Sequence, residues 1–374
     1  MGEASRSGPL EGTRVIELMG IGPVPHAGML LADMGADVLR IDRPAAPTGP
    51  RPGDIRGGIV HRGKEHLVLD ITTTAGREQI LERVESSDVL IEGARPGVAE
   101  RLGLGPDECS RHNRALVYGR MTGWGQDGPL SGIAGHDINY LALSGILHGS
   151  GQSRTPQFTS NLLGDYGAGS MYLVVGVLAA LLHARATGVG RVVDAAIVDG
   201  GAHLLTNAMW MRSAGLQSDT PGQSVLDGGA PYYQVYETQD GEFVAVGAIE
   251  PAFFAQLVST LGLSFDPASQ NDRESWPDLQ NRLTRAFLAH PRGHWEKVFA
   301  GVDACVTPVL SLPEAQAHPH VQSRKSIVVG RSGELEPGYA PRFSIAGDHD
   351  ALMAEDGPTA PYPAPAGEEA GGSS

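Results

Sequence analysis

The chain has 374 residues, 41% of them hydrophobic, which suits about two domains with sizeable cores. Its formal net charge of -15 argues against nucleic acid as a partner. Two cysteines, Cys109 and Cys305, are too few for a disulfide scaffold or a cysteine-rich metal site, and the histidines lack metal-ligand spacing on a helix, so no metal is expected.

Val15 to Leu18 reads as a strand, Gly20 to Pro25 as a turn, Ala27 to Met34 as an apolar helix and Asp37 to Asp42 as the next strand. Strand, glycine turn, helix and strand make a βαβ unit, which implies an α/β fold with a parallel sheet. The turn is not a dinucleotide fingerprint, because Pro25 stands where the third glycine of G-x-G-x-x-G belongs. Pro44 to Gly58 reads as a mobile loop. A strand is expected over Leu67 to Asp70, a helix from a Thr73 or Thr74 cap to about Val84, and strands over Asp88 to Glu92 and Ala115 to Tyr118. Met171 to Leu182 is apolar all round, as in a fully buried helix, and a strand begins at Val192.

From about Asp227 the pattern changes. Tyr232 to Tyr236 and Phe243 to Ala248 read as strands, followed by helices from Pro251, over Pro277 to Leu288 and over Gly293 to Phe299. The expected organisation is a large domain over 1–200, completed by about 330–356, a linker over 201–226, a small α+β domain over 227–329 and a disordered tail over 357–374. Met1 to Pro9 has no apolar signal core, and the longest apolar run is shorter than the ~20 residues a bilayer needs. We therefore expect a cytoplasmic protein with no membrane partner.

Only three of the 28 basic residues are lysines, so arginine must do most of any phosphate recognition. Arg43, Arg62, Lys64 and Arg95 fall in stretches read as strand-end loops, where ligands of open α/β sheets bind. Singly each reads as a solvated charge; together they suggest an anion site.

Two proton carriers stand out. His136 lies in Gly135-His136-Asp137-Ile138-Asn139-Tyr140, and Asp165 in Leu163-Gly164-Asp165-Tyr166-Gly167. A lone His or Asp is usually structural, but neighbouring glycines leave room for a ligand. The chain has neither a Gly-x-Ser-x-Gly elbow nor a P-loop. What remains is acid/base chemistry by His136 and Asp165, or nucleophilic attack by Asp165. Free His and Asp titrate near about 6.5 and 3.9, so paired base work requires the pocket to raise the Asp.

The Gly135–Tyr140 motif, Leu226–Tyr232, Ala245–Pro251, Val38–Pro44, Thr122–Gln126 and Asp303–Val309 together resemble the α-methylacyl-CoA racemases of the type III coenzyme A transferase family. The resemblance runs in order over about 8–345. It implies a Rossmann-like large domain, a smaller domain and an interlocked homodimer. It further implies epimerisation at C2 of a 2-methyl-branched acyl-CoA, with coenzyme A as part of the substrate and no separate cofactor. It assigns His136 and Asp165 as the two bases and Glu250 as a carboxylate supporting the partner subunit's histidine. It assigns substrate binding to Arg43, to Leu69, Asp70, Ile71 and Thr72, and to Gly135, Asp137, Ile138, Asn139 and Tyr140. The alternative within the family is a coenzyme A transferase with Asp165 as nucleophile. Glu65 stands where the family often has a basic residue, and the family's acidic C-terminal helix is not apparent.

Overall fold

The computed structural model describes residues 8–44, 58–151, 155–330 and 333–345. The Pro44 to Gly58 loop, except its two end residues, and the 357–374 tail lie outside the described residues. The chain divides into two units, one of Met1–Ser144, Thr159–Leu204 and His318–Ser374, the other of Gly145–Phe158 and Leu205–Ala317.

The first unit is built on six parallel strands: β1 Arg14–Leu18, β2 Asp37–Asp42, β3 Lys64–Val68, β4 Val89–Glu92, β5 Val117–Thr122 and β6 Val192–Ala196. Their spatial order is β3-β2-β1-β4-β5-β6, the Rossmann order. Strand residues alternate between two buried faces, as the period of 2 dictates. Val15, Val89, Ile91 and Val117 pack with helices α1 (Pro23–Asp33) and α6 (Met171–Thr187). Ile16, Leu18, Leu90 and Tyr118 pack with α2 (Thr74–Val84) on the other face.

Several boundaries differ from expectation for identifiable reasons. Helix α1 starts at Pro23, not Ala27, because prolines in the first turn sacrifice only N–H groups that have no intrahelical partner. Strand β5 runs past Tyr118 to Thr122. Gly119 there faces α6 so closely that a Cβ would sit 2.9 Å from Leu173. Arg120 is buried against Glu92 (Nε to Oε1, 3.1 Å) and also pairs with Glu100. Helix α6 is not fully buried: Leu173, Val177 and Leu181 lie against the sheet, whereas Val175 and Leu182 are 63% and 71% exposed. Leu162–Thr187 forms one continuous 26-residue helical stretch, long and apolar enough by composition to cross a bilayer, and half of that window is buried within the protein.

Strand β3 requires the largest correction. It begins at Lys64, three residues before the expected Leu67, and Lys64 pairs in register with Val38 at the amino end of the sheet. Arg62 and Lys64 therefore do not lie in a loop beyond a strand's carboxyl end. Lys64 Nζ is 2.6 Å from Glu17 Oε2 and 2.7 Å from the Pro25 carbonyl oxygen. Arg62 forks onto Asp33 and donates to the Pro337 carbonyl. Both cations are spent on buried structural pairs. Burial pushes Glu17 up and Lys64 down, each opposed by its partner's charge. Removing one partner of a buried pair strands the other charge, so Lys64→Ala should cost about 3–5 kcal/mol of stability. Urea unfolding reads this directly; an unchanged midpoint would refute the pairing.

The second unit holds the antiparallel sheet β7 (Tyr233–Glu237), β8 (Phe243–Gly247) and β9 (Val306–Pro308), of which β9 was not anticipated. Its core joins Tyr232, Tyr236 and Val246 to Phe254 and Leu257 of α9 (Pro251–Thr260), Leu283 and Phe287 of α10 (Trp276–Leu288) and Trp295 of α11 (Arg292–Val298). The expected 201–226 linker is partly helical: α7 (Ile197–Leu204) ends in it, and α8 (Thr206–Ser213) lies within it. The second unit begins at Leu205 and includes Gly145–Phe158, and the chain returns to the first unit at His318 rather than near 330.

Candidate active site

The strand order reverses between β1 and β4, and their carboxyl ends are joined by Gly93 N–H donating to the Met19 carbonyl at 2.6 Å. A crevice opens above such a reversal in doubly wound sheets. Here a cleft is lined by Ile21 and Pro23 after β1, Gly93 to Pro96 after β4, Thr122 to Trp124 after β5, and Gly135, His136, Tyr140 and Asp165. The two proton carriers named from sequence therefore share one cleft.

Most residues of the Gly135–Tyr140 stretch have a local task. Helix α5 (Asp137–Ser144) starts directly after His136. Asn139 Oδ1 accepts the His136 backbone N–H at 3.0 Å, and the Asn139 N–H returns to the His136 carbonyl at 2.8 Å. The Tyr140 hydroxyl donates to the Gly135 carbonyl at 2.5 Å, and its ring stands edge-on to Trp124 at 4.7 Å. A Cβ on Gly123 would lie 1.9 Å from the Tyr140 ring and one on Gly135 2.7 Å from it, so both glycines are space for that ring. His136 itself is exposed at the cleft.

Asp165 is held by a different element. Leu162–Ser170 is a π-helical turn leading into α6. Such wide turns are rare and concentrate at functional sites. Asp137 Oδ1 accepts the Asp165 N–H at 2.6 Å and faces Gly164 so closely that a Cβ there would lie 2.2 Å away. In the turn after β1, Gly22 has φ +64°, and a Cβ on it would lie 2.8 Å from Asp165 Oδ2. Burial, then the Asp137 charge, raises the Asp165 carboxyl to about 6, against the opposing Asn161 hydrogen bond and His136 charge. The Tyr140 hydroxyl is also pushed up, by burial and then by Asp165. Next to Asp165, Tyr166 stacks on His26 at 4.1 Å, and burial with the Lys64 and Arg62 charges lowers that imidazole to about 4.

The carboxyl edge also carries Arg43 and Leu69 to Thr72. Asp70 Oδ1 accepts the Thr72 hydroxyl at 2.6 Å and its N–H at 3.0 Å, which holds the carboxyl below its usual range, with a smaller pull from Arg43. Ile71 is buried, whereas Arg43, Asp70 and Thr72 are exposed. Arg95 is exposed and lines the cleft. Ile138 is 38% exposed on the first turn of α5. Glu250 is an exposed residue of the second unit at the start of α9, and its side chain makes no capping bond.

A family model described as CoA-transferase family III matches residues 10–362. The chain belongs to this family. It is 42% identical over 334 residues to alpha-methylacyl-CoA racemase of Homo sapiens, covering 89% of this chain and 86% of that protein. It is 41% identical over 337 residues to the Mus musculus protein of the same name, covering 90% and 86%. The crystal structure of a CAIB/BAIF family protein from Brucella suis aligns with TM-score 0.74 at 25% identity, over 90% of this chain and 93% of that one.

In this CoA-transferase family III chain, three contributors escaped the sequence reading. Gly22 was read as part of a tight turn, yet it gives Asp165 its room. Trp124 stands in the Thr122–Gln126 motif with no task assigned to it, yet it backs Tyr140. Glu92 bonds the Ala94 N–H at 2.5 Å and Arg120, anchoring the Gly93–Pro96 loop that lines the cleft. A Pro directly after Gly22, which fixes the start of α1 there, was the available signal for the first; the Thr122–Gln126 motif marked Trp124 without giving its task, and nothing in the sequence pointed to Glu92.

Proposed function

We propose that this chain epimerises the C2 centre of 2-methyl-branched acyl-CoA thioesters, using His136 and Asp165 as bases on opposite faces. The observation that carries the reading is the shared cleft, in which an imidazole and a carboxyl raised to about 6 stand together. The thioester acidifies the C2 proton. One base takes that proton, leaving a planar enolate, and the other returns a proton to the opposite face. The Asp137 and Ile138 amides, at the very start of α5, lie ahead of its first hydrogen bond and suit the enolate oxygen. The named relatives support the substrate class.

The test is incubation of one epimer of a 2-methylacyl-CoA in D2O. Inversion with deuterium at C2 is expected. Formation of a new thioester from an added carboxylic acid, without deuterium at C2, would instead establish the transferase reading with Asp165 as nucleophile.

We place the coenzyme A phosphates at the carboxyl edge, on Arg43 with Arg95 and the Leu69–Thr72 turn, and not on Arg62 or Lys64, whose charges are already paired. Charge-assisted contacts contribute roughly 1.5–3 kcal/mol each. Arg43→Ala should therefore raise KM at least about tenfold with the thermal midpoint unchanged. An unaltered KM would move the nucleotide elsewhere.

We further propose a homodimer in the cytoplasm in which Glu250 supports the histidine of the partner subunit. The Glu250 side chain makes no capping bond to α9, which leaves that carboxylate available. Co-refolding Glu250→Ala chains with His136→Ala chains, each inactive alone, should restore partial activity. Mixed chains that stay inactive would argue for support within one chain.

A further inference from the structure

Asp137 is the one member of the Gly135–Tyr140 stretch whose side chain reaches the other base's element. Its Oδ1 lies 2.6 Å from the Asp165 nitrogen, across 28 positions of sequence. A Cβ at Gly164 would fall 2.2 Å from that oxygen, so the clamp requires glycine there. The clamp ties the start of α5, where His136 sits, to the π-helical turn that carries Asp165.

We propose that Asp137 is the positioning residue of the base pair: its carboxylate clamps the Asp165 turn through the Asp165 backbone amide and stands as a negative charge beside that base. The inference rests on the two-base reading above and adds a role that neither base performs. The Asp137 carboxylate acts through the Asp165 turn rather than on the substrate.

The surroundings support the electrostatic half. Asp165 is faced by His136 just ahead of α5, by Asp137 and Tyr140 of α5, and by Asn161 just ahead of its own turn. From α1, His26 stacks on Tyr166 and is held neutral by burial. On the remaining side, Asp199 of α7 acts on Asp194 of β6. Among the charges that act on Asp165, Asp137 is therefore the one that raises its proton affinity; His136 acts in the opposite sense. A two-base epimerase needs this. A carboxyl at its ordinary value would hold too little proton at neutral pH to serve as the acid in the return direction.

The sign follows. In the direction in which Asp165 takes the proton, it must be ionised, so the rate falls as pH drops through about 6. Removing a neighbouring negative charge lowers the pKa, so the fall moves to lower pH. Asp137→Asn keeps an amide acceptor and removes the charge; Asp137→Ser keeps a weaker acceptor. Deuterium exchange at C2 and epimerisation would be followed from pH 4.5 to 9 in both variants and in the unaltered chain. The expected result is an acid limb about half a unit or more lower in Asp137→Asn. A fall in kcat of about tenfold or more in Asp137→Ser should accompany it, with KM unchanged. Unchanged limbs and unchanged kcat, in an unaltered chain that exchanges normally, would overturn the inference alone. Absence of exchange in the unaltered chain would instead overturn the two-base reading. Loss of the folded circular-dichroism signal in both variants would assign Asp137 to fold stability and also overturn the inference.

Discussion

His136→Ala should abolish epimerisation while leaving slow deuterium wash-in from one epimer, and Asp165→Asn should do the same with the other epimer. Each turnover needs one group to remove a proton and another to deliver one to the opposite face. A single surviving base still exchanges the proton it faces. Positioned acid/base groups typically contribute about 10²- to 10⁴-fold, so epimerisation should fall at least that far. The epimer preference of the residual exchange then assigns each base to its face. Residual exchange from both epimers in either variant would show that the bases do not face each other across C2. A transferase would respond differently: Asp165→Asn would remove its nucleophile, and His136→Ala would matter little.

Gly22→Ala should lower kcat by about two orders of magnitude through one methyl group. The added Cβ would sit 2.8 Å from Asp165 Oδ2, inside the contact distance, and the carboxyl would have to swing away. The residue also has φ +64°, which costs an L side chain roughly 1–2 kcal/mol. Gly12→Ala separates the two effects, because Gly12 has φ +75° with nothing near its would-be Cβ. That control should lose similar backbone stability and keep full activity. If Gly22→Ala keeps kcat, the Asp165 carboxyl does not work from its observed position.

What the sequence disclosed, and what it hid, follows from the range of the signals. Strands β1, β2 and β4 show as short runs with apolar residues because the parallel sheet buries both their faces, and a cap at Thr73 or Thr74 shows because the first helical amides need an acceptor; the structure gives that task to Thr73, which accepts the Gly76 N–H at 3.0 Å. Strand β3 was displaced because Lys64 and Glu65 look like solvent residues. Only the fold reveals that Glu17, 47 positions earlier, waits for the lysine. The same long-range pairing misdirected the anion-site reading of Arg62 and Lys64. Strand β5 was cut short by Gly119 and Arg120, whose reasons lie in α6 and in Glu92. The two bases were visible because glycines flank them. Their mutual support was not, since the Asp137 clamp closes across a loop that no local pattern encodes.

The Lys64–Glu17 pair has one more consequence, for strand alignment. Strand β3 is an outer strand of the sheet, with only β2 beside it. Border strands of this kind can slide, because half of their backbone groups are unpaired and a one-residue slip exchanges the two faces. Here a slip would carry Glu65 into the place where the ammonium meets Glu17, setting two carboxylates against each other in a buried site. The pair thus works as a latch that admits one alignment and penalises its neighbours. A chain lacking it should show strand β3 exchanging its amide protons far faster than the rest of the sheet, with the cleft at the opposite edge intact.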